Sequence, residues 1–325
     1  MVSTLNEITS NRFKDLTEEL RGIVDDEKTG GIACLLYHKG DVIYRKAFGW
    51  LDRLNEERMD LDTIHRIYSM TKPILCAALL ILYDDGRFNL DDPVSKFLPE
   101  FKKMEILVSY DEETDTIETI KSSKQITIKD LFMHTSGISY GSWPKIMIDQ
   151  YYAKKFEVDT SMPVYPMLEK QRNLEPLVDF CKTLSKLPLA FNPGDHYWYG
   201  FNHDILGFLI EKLSGKSLDE YLKERIFNKL GMLDTDFYVH EKNKNKLSKV
   251  YTKNEENELI ELDGSVSDSF YEKPRFLSGG GGLVSTLAPL LRFQYVQYLI
   301  HPLKQENLDF FYQAYFQEGL QCFPS

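Results

Sequence analysis

Apolar and polar positions alternate in distinct registers along this chain, and those registers predict its elements. Ile32 to His38 and Asp41 to Phe48 are runs of strand-forming residues separated by Lys39-Gly40, which predicts an antiparallel hairpin after a charged first helix over Phe13 to Asp25. From Ile74 to Tyr83 the chain is almost wholly apolar, and Leu75, Ala78, Leu79, Leu80 and Leu82 leave no polar face. That pattern predicts a central, fully packed helix, ended by Asp84-Asp85-Gly86.

Further along, Ser109 to Gln125 is rich in Thr, Asp and Glu and reads as an exposed ribbon or loop, with helical periodicity resuming at Ile128. Leu174 to Leu230 is dominated by amphipathic segments such as Asp204 to Leu213 and Leu218 to Leu230, divided by a Ser214-Gly215 stop. Lys242 to Glu258 is dense in Lys, Asn and Glu and reads as a solvated loop. Gly279 to Gly282 predicts a tight turn before a helix capped by Ser285, since no Lys-Ser or Lys-Thr follows in the manner of a phosphate-binding loop.

Length and composition narrow the function classes. With 325 residues and 42% apolar content, the chain can bury a large core in one unit. A formal charge of -11 argues against nucleic acid and against anionic membrane surfaces as partners. The longest apolar run is too short to span a bilayer, and Met1 to Lys14 lacks a secretory pattern, so a cytoplasmic location is expected. Cys34, Cys76, Cys181 and Cys322 are far apart and read as free thiols.

The apolar helix carries the candidate chemistry at its start. Ser69-Met70-Thr71-Lys72 places a hydroxyl and an amine three residues apart, hence on one helix face, where the amine can activate the otherwise weak serine nucleophile. Unpaired backbone N–H groups at a helix start would also favour a developing oxyanion. Ser142-Trp143-Pro144-Lys145 repeats the spacing, but it holds a proline and has no long apolar helix behind it. Gly137-Ile138-Ser139-Tyr140-Gly141 spells a nucleophile elbow that would make Ser139 the nucleophile of an α/β-hydrolase. The elbow needs a preceding strand, and Ile128 to Met133 reads as helix. His134, His196, His203 and His240 have no metal-ligand spacing and read as structural.

Several longer words stand in order: Ile67-Tyr68-Ser69-Met70-Thr71-Lys72-Pro73, Leu90 to Pro99, Ile126 to Leu131, His134-Thr135-Ser136-Gly137, Pro193-Gly194, Leu230 to Thr235 and Gly280 to Thr286. Together they resemble the serine β-lactamase and penicillin-binding-protein superfamily, in particular its class C and family VIII esterase branch. The resemblance implies an α+β fold, with an antiparallel sheet lobe over about residues 1–66 and 265–325 and an inserted helical lobe over about 67–264. It also implies an acyl-enzyme serine hydrolase acting on a small ester or amide, with Ser69 as nucleophile, Lys72 as its base and no cofactor or metal.

By position within Phe191 to Tyr199, the resemblance gives Tyr199 the role of proton relay and Asn202 a substrate contact. Two features depart from the family pattern: Gly200 stands where relatives usually place Ser, and Asn202 comes one residue late. Both look more like the esterase pattern than the β-lactamase one. The superfamily's third element, a Lys-Thr-Gly, His-x-Gly or Trp-x-Gly strand near the carboxyl end, has no counterpart in place. Lys28-Thr29-Gly30 precedes the first strand and His38-Lys39-Gly40 lies in the hairpin turn, so carboxyl-terminal strands are expected to be missing. The alternative from another class is therefore a truncated, non-catalytic relative that binds a ligand or partner.

Overall fold

The computed structural model describes residues 12–39, 41–141, 146–157, 175–262 and 269–299. Ser142 to Lys145, Cys322 and the expected carboxyl-terminal departure lie outside these residues. Antiparallel sheets and helices combine in an α+β arrangement. In chain order the elements are α1 (Lys14–Asp25), β1 (Gly31–His38), β2 (Asp41–Asp52), β3 (Glu57–Arg58), β4 (His65–Arg66), α2 (Thr71–Asp84), β5 (Glu105–Asp111), β6 (Thr116–Lys121) and α3 (Ile128–Phe132). They continue as α4 (Met147–Lys155), α5 (Leu177–Leu184), α6 (Asn202–Ser214), α7 (Leu218–Leu222), β7 (Tyr251–Lys253), β8 (Leu259–Glu261), β9 (Val284–Ser285) and α8 (Leu287–Leu299).

The described residues form two compact units. The first draws on the described residues within 12–66, 230–273 and 283–296. Its sheet runs β1-β2-β3 with antiparallel pairing from Gly31 opposite Gly49 to His38 opposite Asp41. A smaller core of Ile64, Val239, Leu247, Phe270 and Val284 supports the pairing of β4 with β9. Ser285, expected to cap a helix, instead lies in β9 opposite His65, with its hydroxyl 2.7 Å from that of Thr235. Lys242 to Glu258 is also more ordered than expected. Glu241–Lys246 makes a short 3-10 turn, and Tyr251–Lys253 pairs with Leu259–Glu261 as a hairpin, backbone hydrogen bonds replacing the missing apolar signal.

The second unit draws on the described residues within 67–229, 274–282 and 297–299. At its centre is α2, in which Ile74, Leu75, Cys76, Ala77, Ala78, Leu79, Leu80 and Leu82 are all buried, so the apolar run is packed on every side. The second helix of this core, α6, packs against α2, α3 and α5 and stops at Gly215, a left-handed C-cap with φ 72°. A capping box between Thr127 and Asp130 starts α3. The polar stretch after Met104 forms the exposed hairpin β5–β6. Among the described residues, no helix is long and apolar enough to cross a membrane.

Candidate active site

Ser69 occupies a single 3-10 turn, Tyr68–Met70, that runs directly into α2. The turn is entered through Tyr68 at φ 41°, a left-handed conformation that bulky L residues rarely adopt. It leaves Ser69 exposed at the helix start while Lys72, one turn further in, is 4% exposed. The helical spacing then does what the sequence predicts, and Lys72 Nζ donates to Ser69 Oγ at 3.1 Å. A second hydrogen bond from the same amine goes to the Gly280 carbonyl at 2.5 Å.

Tyr199 reaches the pair from a loop. Its hydroxyl lies 2.9 Å from Ser69 Oγ, and Lys72 Nζ lies 4.8 Å from the centre of its ring. The Ser69 hydroxyl therefore has an amine on one side and a phenol on the other. Two groups that can exchange a proton with it are in hydrogen-bond reach, the geometry that nucleophile activation requires.

The loop that carries Tyr199 is shaped by the segment from His134 to Ser139. Gly194 and Trp198 donate their N–H groups to the carbonyls of Thr135 and His134, both at 2.8 Å. Ala190 donates to Gly137 at 2.8 Å, and Phe201 donates to Ser139 at 3.3 Å. Gly200 follows from this contact: a Cβ there would stand 2.0 Å from the Ile138 carbonyl oxygen, so the chain has no room for a side chain. Gly137, at φ 84°, is similarly pressed against the Phe191 carbonyl.

Asn202, expected to contact substrate, is fully buried at the start of α6. Its Oδ1 accepts from Ser136 Oγ at 2.5 Å and its Nδ2 is 2.9 Å from His134 Nδ1, so the amide is spent inside the fold. Ser139 is equally buried. Its hydroxyl donates to Asp149 at 2.6 Å, and the segment before it is helix α3, so the strand that an elbow needs is not there. His196 is exposed, His240 sits 3.0 Å from Asp236, and no group of metal-ligating side chains occurs among the described residues.

Three buried groups that composition and spacing did not single out for chemistry surround the pair. Asp204, in the first turn of α6, accepts from Ser278 Oγ at 2.7 Å and from the Gly280 N–H at 3.2 Å, and burial pushes its carboxyl up from the ordinary range. His134 and His203 lie 4.7 Å apart by ring centres, and burial holds both imidazoles well below their usual range, reinforced by Lys72. The available signal was the run Asn202-His203-Asp204 directly before the apolar run Ile205 to Ile210: polar groups forced inside must have partners there.

Comparisons with known proteins identify relatives of the chain as a whole. The β-lactamase family profile matches residues 16–309. An uncharacterised protein of Mycobacterium tuberculosis is 28% identical over 275 residues, spanning 84% of this chain and 63% of its own length. The lovastatin esterase of Penicillium rubens is 30% identical over 211 residues, or 64% of this chain and 49% of the esterase. The chain thus spans about half to just under two thirds of these curated relatives. Among solved structures, EstCE1, a hydrolase with promiscuous acyltransferase activity, superposes with a TM-score of 0.73 at 21% identity, covering 93% of this chain and 77% of that one.

Proposed function

The chain belongs to the β-lactamase family, and on that premise we propose that it is a serine hydrolase that forms an acyl-enzyme on a small ester or amide. The observation that carries the reading is the Ser69 hydroxyl held between Lys72 Nζ at 3.1 Å and Tyr199 OH at 2.9 Å. That a similar protein is named an esterase supports the ester over the β-lactam as substrate class.

In this reading Ser69 Oγ attacks the substrate carbonyl carbon as its proton passes to Lys72. The carbonyl π pair moves to oxygen, and the resulting oxyanion takes the Ser69 backbone N–H at the helix start as one donor. Collapse re-forms the carbonyl and breaks the bond to the leaving alkoxide or amine. That group takes its proton from Tyr199, which Lys72 recharges. A water then enters the same position, loses its proton along the same route, and attacks the acyl ester. The acid is released and the Ser69 hydroxyl is restored. The retained acyl group could equally pass to an alcohol, the difference between a hydrolase and an acyltransferase being which hydroxyl compound reaches the ester first.

The test is turnover of p-nitrophenyl esters together with peptide mapping of a fluorophosphonate adduct. The expected adduct is on Ser69. Ser69→Ala and Lys72→Ala should each lower turnover by about a thousandfold or more, as loss of a member of a nucleophilic unit does. Full activity in Ser69→Ala would overturn the reading. A folded chain with neither turnover nor adduct would favour the non-catalytic, ligand-binding alternative.

A further inference from the structure

We propose that His134 is the positioning residue for Tyr199: one buried side chain and its own carbonyl hold the residue before the phenol, the phenol ring, and the residue after it. The inference rests on the acyl-transfer reading above, because it concerns how the third group of that site is placed.

The three attachments are distinct. The His134 carbonyl accepts the N–H of Trp198 at 2.8 Å. Its ring stacks on the ring of Tyr199, with centres 4.5 Å apart and planes inclined by 23°. Its Nδ1 accepts the N–H of Gly200 at 3.4 Å. Residues 198, 199 and 200 are thereby fixed from a single point.

That point is itself held in one orientation by a directed chain of hydrogen bonds. The Ile138 N–H donates to Ser136 Oγ at 3.0 Å, which leaves the Ser136 hydroxyl to donate to Asn202 Oδ1 at 2.5 Å. The Asn202 amide is thus oriented with Nδ2 toward His134 Nδ1 at 2.9 Å. Nδ1 receives two N–H groups and carries no proton of its own, so the network assigns the imidazole hydrogen to Nε2. His134 also stands at φ 55°, a left-handed conformation in which His and Asn are enriched, and Thr135 beside it is tied to Asp130 at the start of α3 by a 2.8 Å bond.

The consequence for chemistry is one of tolerance. A proton relay must be held to within about half an ångström, and a displacement of about 1 Å can cost about a hundredfold in rate. The acceptor at Nδ1 and the stacked ring can be separated by substitution. Asn in place of His134 offers Oδ1 where Nδ1 was and accepts the left-handed backbone; Phe keeps a ring but leaves the Gly200 and Asn202 donors unsatisfied.

The deciding experiment is a double-mutant cycle of His134 with Tyr199, read as kcat and KM on a p-nitrophenyl ester, with folding checked by circular dichroism. His134→Phe should lower kcat by about 30- to 100-fold with KM within about threefold, and His134→Asn should lower it by only about three- to tenfold. In a Tyr199→Phe background the same changes should cost less than about threefold further, because their effect passes through the phenol. Equal losses in the two backgrounds would overturn the inference and leave His134 a purely structural residue. If His134→Phe does not fold, His134→Asn carries the same cycle. Absence of Ser69-dependent turnover in the unaltered chain would overturn the acyl-transfer reading, and this inference with it.

Discussion

Asp204 accepts the backbone N–H of Gly280 at 3.2 Å, and the carbonyl of the same glycine receives the Lys72 amine at 2.5 Å. A buried carboxyl thus fixes the loop that holds the Lys72 amine. The approach is close: a Cβ on Gly280 would stand 2.9 Å from Asp204 Oδ2.

Asp204→Asn retains an acceptor for Ser278 and Gly280 while removing a buried acid, so stability at pH 7 should be unchanged or raised. Asp204→Ala leaves those two donors unsatisfied and should cost about 1–3 kcal/mol, with a fall in turnover as Gly280 is released. Chemical denaturation of both variants checks the order; equal destabilisation would show that the carboxyl's charge, and not its role as acceptor, is what the fold uses.

Ser139→Ala separates the two serines. The Asp149 carboxylate keeps the Gly141 N–H at 2.9 Å but loses the Ser139 hydroxyl, so stability should fall by about 1–3 kcal/mol. Ester turnover per folded molecule should stay within a few fold of the unaltered chain. Loss of the fluorophosphonate adduct in this variant, with Ser69 intact, would contradict the assignment of the nucleophile.

Gly200→Ala forces a Cβ to within 2.0 Å of the Ile138 carbonyl unless the backbone moves. A cost of about 1–3 kcal/mol is expected, as for overpacking elsewhere. Because the same residue adjoins Tyr199, kcat should fall more than the melting temperature alone explains. A neutral effect on both would show that this loop relaxes freely.

The pH dependence of stability should carry the mark of the buried imidazoles. His134, His203 and His65 have pKa values lowered by burial, so the folded chain keeps them neutral where the unfolded chain takes up protons. Their contribution is complete above the unfolded value of about 6.5 and is lost as pH falls below it, at about 1.4 kcal/mol per pH unit for each imidazole until the folded state itself is protonated. Asp204 works in the opposite direction, since its raised pKa lets the folded state bind a proton more tightly than the unfolded one. Melting temperatures from pH 7.5 to 5.5 should fall, and His134→Asn should flatten the decline; a flat profile in the unaltered chain would mean that the imidazoles are not kept neutral.

What could be read from the sequence was what lies close in sequence. The β1–β2 hairpin, α2 and its stop at Asp84-Asp85-Gly86, and the pairing of Ser69 with Lys72 all follow from spacing within one element. Tyr199 stood out only through family resemblance, because a loop rather than a helical repeat brings it to Ser69. Asn202 shows the limit of that resemblance, its amide being turned inward to His134 and Ser136. The short strands Tyr251–Lys253, Leu259–Glu261 and Val284–Ser285 escaped because two- and three-residue strands carry no periodicity; their partners, not their side chains, define them.

The burial of α2 on every side divides the site into a rigid part and a compliant one. Ser69 and Lys72 travel with the helix, whose amides should be among the slowest in the chain to exchange with deuterium, since opening them requires dismantling the core of their unit. Tyr199 rides on a loop whose openings need break only a handful of backbone hydrogen bonds. On warming, Tyr199 should therefore come loose before Ser69 and Lys72 part company. On the proposed reading, ester turnover should then fade several degrees below the melting of the fold and return on cooling, so that the loop, and not the helix, would set its upper temperature.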